Sequence, residues 1–289
     1  MTVGSTRQRG SQPAPLSSAR RWVLAVGVLL SVAAIAWGVL LLVNLLGRTT
    51  EDRSATLPAT GGQLILSSSG GGIRVAVGDV TDIRVVSHLV YGLSAPRLRQ
   101  DAGPGGVRLA ASCPWYSSLC SVTYEITLPT GMAVRAESSG GSISVRGVTG
   151  AVDTSSSGGP ITVSETTSSI RAHSSGGSVT VTASTGAVDL DSSGGGIVGT
   201  GLRGDRARAE SSGGSVRLVF DAPPRLVEAS SSGGGVEVRL PRVDGGYRVD
   251  ATSSGGGQVV DVPTDPASTR RVTVHSSGGD ARVLSSDAG

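Results

Sequence analysis

Several residue types are scarce in this chain of 289 residues, and each scarcity excludes a class of protein. The sequence has no lysine, one phenylalanine, two cysteines and three histidines. Without lysine there is no phosphate-binding loop of the Gly-Lys-Ser/Thr type, and no histidine is placed to serve a particular serine nucleophile. The glycine-rich repeats lack the aspartate that calcium-binding nonapeptide repeats carry in every copy. We therefore expect no enzymatic activity and no cofactor.

The excess of positive charge is confined to the N-terminal end. Residues 1–50 contain five of the 25 basic residues and no acid, so residues 51–289 hold 20 basic and 22 acidic residues, a net charge of −2. The sequence pI of about 9.3 therefore reflects the N-terminal segment. Nothing in the larger part of the chain favours a nucleic-acid partner.

The N-terminal segment predicts a membrane anchor. Residues 1–21 are rich in Ser, Pro and Gly and contain four arginines, which is typical of a disordered basic tail. Residues 22–46 carry no charge, and a helix of this length crosses a hydrocarbon core of about 30 Å. The positive-inside rule then places the tail in the cytoplasm and the C-terminal domain outside a single-pass cell membrane protein.

A cleaved signal peptide is the alternative for this segment. Ala34-Ile35-Ala36 resembles a signal-peptidase site. The apolar run continues for ten residues beyond Ala36, which is longer than a cleaved peptide requires. An uncleaved anchor is therefore favoured, and cleavage stays open.

The rest of the chain is organised by a short repeat centred on Ser-Ser-Gly-Gly. Two apolar positions precede each turn and two follow it, and within each pair they are two residues apart, as in Val134/Ala136 and Ile143/Val145. This spacing is the β-strand period, so each repeat predicts two short strands joined by a turn. We expect glycine to supply positive φ in that turn and serine to bond the backbone. The first glycines of the copies are Gly70, Gly140, Gly158, Gly176, Gly194, Gly213, Gly233, Gly255 and Gly278.

The repeat length selects a β-solenoid. From Gly140 onward the copies are 18 to 23 residues apart, whereas a propeller blade needs about 40 residues and a leucine-rich repeat has another signature. A left-handed three-sided helix also has an 18-residue coil. The apolar positions fall in two pairs rather than in three equal groups, so we predict an all-β, right-handed parallel β-solenoid with two-sheet coils, preceded by one transmembrane α-helix.

Between the tail and the regular repeats, two further segments are predicted. Residues 47–62 form a polar linker, residues 63–133 form irregular first coils or a cap, and residues 134–289 form the regular solenoid. Cys113 and Cys120 lie in the cap segment, and an even pair in a segment placed outside the membrane predicts a disulfide. Tyr91, Trp115 and Tyr116 either cover the end of the solenoid or form a ligand-contacting tip.

In-register stacking turns every repeat position into a column of side chains. Five residues before each first glycine, the signs of the charges alternate over six copies and predict a ladder that maintains the register. In sequence order this column is Arg135, Asp153, Arg171, Asp189, Arg208, Glu228, Asp250 and Thr273. Two positions later, His173, Asp191 and Glu210 are adjacent. A solvated surface group is favoured there over a cation site, so no metal is expected.

The growth in coil length falls on one side of the repeat. Residues 221–225, 241–247 and 263–271 are longer connections, all opposite the Ser-Ser-Gly-Gly turns. Insertions clustered on one face of a repeat protein are the usual place for recognition. We call this side the loop edge and predict that it binds the ligand. Its candidate residues are Pro223, Pro224, Arg225, Arg242, Tyr247, Arg270 and Arg271.

The sequence resembles the bacterial putative-adhesin families. The run 126–131, Ile-Thr-Leu-Pro-Thr-Gly, leads into the repeat of residues 134–145, and the pattern recurs at 238–241 before Gly255. In those families a Leu-Pro-x-Gly step precedes β-coils joined by Ser-Gly turns, and the resemblance covers residues 60–289. It implies a β-solenoid on a cell-surface or envelope protein and provides no catalytic residue to carry over.

Two functions follow from these observations. The first is an adhesin-like binding or scaffolding module, anchored in the lipid bilayer through residues 22–46, that contacts a cell-wall polymer, a glycan or an envelope protein. The alternative is an envelope-stress sensing or signalling accessory protein. The tail of 21 residues is too short for an enzymatic output domain, which favours the first function.

Overall fold

The computed structural model describes residues 18–92, 94–114 and 119–286, in two units, 1–47 and 48–289. In the first unit, α1 extends over Ser18–Leu46. Its window Trp22–Val39 has a mean hydropathy of 2.3 and is long and apolar enough to cross a bilayer, although a signal sequence has the same properties. Because charges are absent along this window, the helix has no polar face to present to water.

The second unit consists of β-strands that form two sheets. In chain order the strands are β1 (Thr49–Leu57), β2 (Gln63–Ser68), β3 (Ile73–Val77), β4 (Ile83–Tyr91), β5 (Arg97–Gly103), β6 (Gly106–Ser112), β7 (Cys120–Leu128), β8 (Ala133–Ser138), β9 (Ile143–Arg146), β10 (Val152–Ser156), β11 (Ile161–Thr166), β12 (Ile170–Ser174), β13 (Val179–Ser184), β14 (Val188–Ser192), β15 (Ile197–Leu202), β16 (Arg206–Ser211), β17 (Val216–Phe220), β18 (Leu226–Ser231), β19 (Val236–Leu240), β20 (Arg248–Ser253), β21 (Gln258–Asp261), β22 (Arg271–Ser276) and β23 (Ala281–Ser285).

The arrangement is the predicted parallel β-solenoid with two-sheet coils. Within the described residues, sheet 1 has twelve strands in the order β1-β4-β7-β3-β9-β11-β13-β15-β17-β19-β23-β21. Sheet 2 has eleven, in the order β20-β22-β18-β16-β14-β12-β10-β8-β2-β6-β5. Each coil contributes one strand to each sheet, and neighbouring coils pair in parallel register. The direction of winding stays a prediction.

The order of the coils in the stack departs from their order in the sequence at both ends. The first coil, β2–β3, lies between the coil β6–β7 and the coil β8–β9. The last coil, β22–β23, lies between β18–β19 and β20–β21. The expectation of strictly sequential columns was therefore wrong at the C-terminal end, where Thr273 stands between Glu228 and Asp250.

Antiparallel strands cover the N-terminal end of the stack. In sheet 1, β4 pairs with β7 and β1 pairs with β4, while in sheet 2 the hairpin partner of β6 is β5. The segment 47–62, predicted as a polar linker, thus contains the nine-residue strand β1. Two residues separate the end of α1 from the start of this strand. The sequence of β1 is mostly polar and lacks the apolar alternation of a strand, because its side chains stay largely exposed at the sheet edge. The sequence pattern therefore did not reveal this strand.

The core contains the apolar pairs that the repeat predicts. Val134, Ala136, Ile143 and Val145 are each at most 1% exposed, and equivalent residues of the other regular coils repeat this, the end coil β20–β21 excepted. Full burial of one such aliphatic side chain stabilises the fold by roughly 1.5–3 kcal/mol. The first serine of each Ser-Ser-Gly-Gly turn is a further inward position that the apolar pattern does not reveal, and Ser174 is an example at 0% exposed.

These serines form a hydrogen-bonded column. The Ser174 hydroxyl accepts a bond from the Gly177 amide at 2.9 Å within its own turn and donates to the Gly159 carbonyl of the preceding coil at 3.1 Å. The same pair of bonds recurs in the following coil at Ser192, with distances of 3.0 Å. Burying a hydroxyl is favourable only when it is bonded in this way. The prediction that serine bonds the backbone of the turn is confirmed.

The glycines of the turn are required for a different reason from the one expected. Among the glycines of the Ser-Ser-Gly-Gly turns that the structure describes, only Gly71 has a positive φ, at 108°. The second glycine of each turn instead lies directly over the backbone of the coil below it. A Cβ built on Gly177 would be 2.5 Å from the carbonyl carbon of Gly159, a distance that no real side chain adopts. Close approach of two backbones therefore replaces conformational freedom as the constraint.

We predict that Gly177→Ala lowers the apparent Tm of the full chain by roughly 5 °C or more, because the new methyl group must push two coils apart. Gly140→Ala is the matched control, since a Cβ there has no atom within 4 Å. Thermal unfolding followed by circular dichroism measures both. Equal shifts for the two variants would contradict the backbone-contact argument.

Candidate functional site

The loop edge is formed by the connections that lead from sheet 1 to sheet 2. Residues 221–225 join β17 to β18, 241–247 join β19 to β20, and 262–270 join β21 to β22. The guanidinium groups of Arg225, Arg242 and Arg271 belong to exposed residues on this side. Arg225 Nε lies 3.7 Å from Asp205 Oδ2, with both side chains about three-quarters exposed, so that ion pair is weak.

Two of the candidate residues of the loop edge are buried. Tyr247 is 0% exposed, and its hydroxyl donates to the Pro241 carbonyl at 2.7 Å. Pro224 is also buried. Neither side chain is therefore exposed at the loop edge in this structure, and their contact with a ligand stays a prediction. The apolar ring of Tyr247 takes the place of a core aliphatic residue while its hydroxyl finds a backbone acceptor.

Arg270 and Pro223 tie two of the long connections together. The half-buried Arg270 donates from Nη1 to the Pro223 carbonyl at 3.1 Å. This bond joins the connection before β22 to the connection before β18. Arg270 therefore positions the loops, and the exposed set at this edge reduces to Arg225, Arg242 and Arg271 with the half-buried Pro223.

The outer face of sheet 2 carries the predicted ladder of alternating charges. Arg135 Nη1 lies 3.9 Å from Asp153 Oδ2, and Arg171 Nε lies 3.5 Å from Asp189 Oδ2. These side chains are about half exposed or more, so each pair contributes little to stability. We call the row of aligned positions on the ten parallel strands of sheet 2 the central column; on the antiparallel edge strand β5, Asp101 lies beside Arg108 at its end. From one end of the stack to the other it is Arg108, Ile65, Arg135, Asp153, Arg171, Asp189, Arg208, Glu228, Thr273 and Asp250.

A trough of about 650 Å³ runs beside the central column, toward the loop edge. Small side chains line it over four consecutive coils, and Gln63, Arg206 and Leu226 lie further along the same row. The small residues are Ala133, Ala151, Ser169 and Ala187. The trough exists because short side chains stand between taller charged ones and the connecting turns.

The side chains of His173 and Asp191 are joined by a hydrogen bond between neighbouring coils. His173 Nδ1 lies 2.9 Å from Asp191 Oδ1 on the next coil. Glu210, one coil further, accepts a hydrogen bond from Arg208 of its own strand at 3.2 Å. Within residues 18–92, 94–114 and 119–286, no group of three His, Cys, Asp or Glu side chains is arranged to hold a metal ion.

The disulfide lies in the end coil β6–β7. Cys113 and Cys120 are bonded, as predicted, with their Cα atoms 5.8 Å apart. The bridge closes the corner between β6 and β7, where the regular coils have Ser-Ser-Gly-Gly. Trp115 and Tyr116 lie outside the described residues. Tyr91 is half-buried and its hydroxyl donates to Glu51 Oε2 at 3.1 Å, which ties β4 to β1 and fits a covering role at this end.

His88 is an ionisable residue of the cap that sequence reasoning missed. Its Nδ1 lies 2.7 Å from Asp52 Oδ1, and its Nε2 lies 3.6 Å from Glu125 Oε2. The hydrogen bond to Asp52 raises the pKa of the imidazole above its ordinary value. Its partners are 36 and 37 residues away in the sequence, on the neighbouring strands β1 and β7, so no local pattern could have revealed them.

We predict that the attachment of β1 weakens as the pH rises. Because the pKa of His88 is higher in the folded chain than in the unfolded chain, protonation stabilises the cap below about pH 6.5, and this stabilisation disappears as the pH passes the folded pKa. Hydrogen exchange of the β1 amides, corrected for intrinsic rates, is expected to be faster at about pH 8 than at about pH 5.5. In the His88→Gln variant the difference should vanish; its persistence there would assign the effect to another group.

Comparison with solved structures supports the fold. A putative adhesin from Bacteroides fragilis superposes with a TM-score of 0.51 at 14% identity, over 82% of this chain and 97% of that chain. A putative adhesin from Parabacteroides distasonis has a TM-score of 0.42 at 9% identity, and a putative cell adhesion protein from Clostridium sporogenes has 0.27 at 10%. These cover 82% of this chain and 97% and 100% of theirs. Only the first structure bears on the fold of this chain, and at 14% identity its likeness concerns the fold alone.

Sequence comparison identifies the family directly. The search of curated proteins finds no match. The pattern of the Toastrack DUF4097 family matches residues 99–284, which include the second half of the cap segment and the regular coils of the solenoid. Because this match extends over more than half of the 289 residues, the chain belongs to the Toastrack DUF4097 family.

Proposed function

We propose that this protein is a membrane-anchored, extracellular binding or scaffolding module of the bacterial cell envelope, with an adhesin-like and non-catalytic role. The observation that carries the proposal is the direct succession of a helix, α1, that is uncharged from Trp22 onward, and a β-solenoid. The helix ends at Leu46 and β1 begins at Thr49. A rigid repeat domain so close to an anchor presents a long recognition surface at a membrane.

Two further observations support the extracellular placement. A disulfide links Cys113 to Cys120, and such bonds persist outside the reducing cytoplasm. The four arginines that precede the uncharged residues 22–46 retain the tail on the cytoplasmic side by the positive-inside rule. The names of the similar solved structures, all given as adhesins or a cell adhesion protein, agree with a role in binding at the surface.

The loop edge is the proposed contact with the envelope. Arg225 and Arg242 present guanidinium groups from two separate connections, and Arg271 presents one from the first residue of β22. Guanidinium groups form paired hydrogen bonds with carboxylates and phosphates, so an anionic wall polymer fits this edge. The opposite edge repeats Ser and Gly uniformly and offers no comparable variation.

We predict that replacing these three arginines by glutamine weakens binding by about tenfold or more, because three charge-assisted contacts are lost. The assay is co-sedimentation of the full chain, in nanodiscs, with isolated cell-wall sacculi. The matched control replaces Arg74, Arg146 and Arg217, which are similarly exposed on the outer face of sheet 1. Equal losses in both triple variants would show that the loop edge is not the contact.

An envelope-stress sensing role is the alternative, in which the basic tail of residues 1–21 reports across the membrane. Deletion of residues 2–20 separates the two functions. A sensor should lose its stress response in cells, whereas an adhesin should keep its binding to sacculi. Loss of the response with intact binding would assign the protein to signalling.

A further inference from the structure

We propose that the outer face of sheet 2 is a self-association surface, on which a second copy of this chain packs with its solenoid axis reversed. The proposal does not rest on the ligand at the loop edge, although Arg271 lies both at that edge and in one of the rows used here. It concerns the central column and the two rows of side chains that flank it.

The central column is complementary in charge to its own reverse. We place a two-fold axis parallel to the strands, between Arg171 and Asp189. This rotation reverses the order of the coils, so each residue of the column faces the residue that lies equally far from the axis on its other side. Every arginine then faces an acid, and the two neutral positions face each other. The facing pairs are Arg108 with Asp250, Ile65 with Thr273, Arg135 with Glu228, Asp153 with Arg208, and Arg171 with Asp189.

The coil order preserves this symmetry because it is exchanged at both ends of the stack. Alternation over the six regular coils gives three of the five pairs. The exchange places Ile65 inside Arg108 at one end and Thr273 inside Asp250 at the other, so the outer pairs are the same as in sequence order. An exchange at one end only would face Arg108 with Thr273 and Ile65 with Asp250, and two charges would be left unmatched.

The flanking row that contains His173 adds no repulsion in this arrangement. Glu137 faces Ser230, Ser155 faces Glu210, and His173 faces Asp191. The three acids of this row thus meet a hydroxyl or an imidazole, and never one another. Like-charge contacts, which disfavour a wrong arrangement by several kcal/mol, are absent.

The other flanking row supplies complementary shape. Four consecutive small residues, Ala133, Ala151, Ser169 and Ala187, lie along the trough of about 650 Å³, which Arg206 and Leu226 also line. Large residues occupy the next four strands: Arg206, Leu226, Arg271 and Arg248. Reversal places Leu226 over Ala133 and Arg206 over Ala151, so two large residues of each copy meet small residues of its partner, while Gln63 faces Arg271.

Other arrangements of two copies lack this match. A two-fold axis along the solenoid, which keeps the copies parallel, would oppose Asp189 to Asp191. On sheet 1 the equivalent outward row is not self-complementary, since reversal there opposes Arg74 to Arg282. The geometry therefore selects one face and one orientation.

The area is sufficient for a specific contact. Six regular strands spaced about 4.8 Å apart, each with about five residues that rise 3.3 Å, present roughly 500 Å² per copy. The two copies together then bury about 1,000 Å², which is the lower bound for a specific interface. The four end coils that the symmetry also pairs increase this area. Charge on most of the surface suits a reversible dimer rather than an obligate one.

Charge reversal at one facing pair tests the proposal. Asp153 and Arg208 lie three strands apart in one copy, about 14 Å, and cannot contact each other there. Across the proposed interface they face each other twice. The full chain in detergent micelles is expected to dimerise, as measured by sedimentation velocity. Asp153→Arg and Arg208→Glu should each weaken the dimer by at least about tenfold, because each creates two like-charge contacts.

Two recombinations distinguish pairing between copies from damage within one copy. The double variant Asp153→Arg/Arg208→Glu should regain the affinity of the original chain. An equal mixture of the two single variants should form a mixed dimer, since two arginines of one copy then face two acids of the other. Circular dichroism confirms folding, and Arg217→Glu on sheet 1 is the control that should leave dimerisation unchanged. A monomeric original chain, or single variants that neither lose affinity nor recover it on mixing, would overturn the proposal.

Discussion

The close stacking of successive Ser-Ser-Gly-Gly turns is the contact on which the rest of the molecule depends. Two backbones approach each other at Gly177 and Gly159 so closely that no Cβ fits between them. The buried hydroxyl of Ser174 bonds both coils at that point. Since every regular coil repeats this contact, all coils share one register at one edge. Variation in length is left to the opposite edge, where the long connections accumulate.

A shared register also determines what the outer faces can display. Residues that are 18 to 23 positions apart in the sequence become neighbours about 4.8 Å apart, so a row of single residues acts as one surface. Alternating charges along such a row attract within one chain and need no separate scaffold. A partner can contact the same row of charges. The outer face of sheet 2 therefore both maintains the register of the coils and provides a contact surface.

Much of this architecture could be predicted from the sequence, because a two-residue apolar period and a constant turn are local signals. The repeats, the inward positions such as Val134 and Ile143, the disulfide and the alternating charges followed from them. Long-range features did not follow. The edge strand β1 is held by pairing with β4, and His88 meets Asp52 only through that pairing. Tyr247 looked like a loop residue because its burial depends on two connections that fold over it.

The exchanged coils at the two ends have a consequence for how the chain is completed during synthesis. β20–β21 leaves the ribosome before β22–β23, yet the later coil occupies the place between it and β19. Gln258 stands at an inward position that is Ile, Val or Ala in the other regular coils, and at the open end it remains exposed. The penultimate coil therefore has to wait undocked, or dock and withdraw, until the last residues arrive. A nascent chain that stalls before residue 271 would lack a stable terminus, which offers quality-control proteases a simple way to recognise incomplete copies.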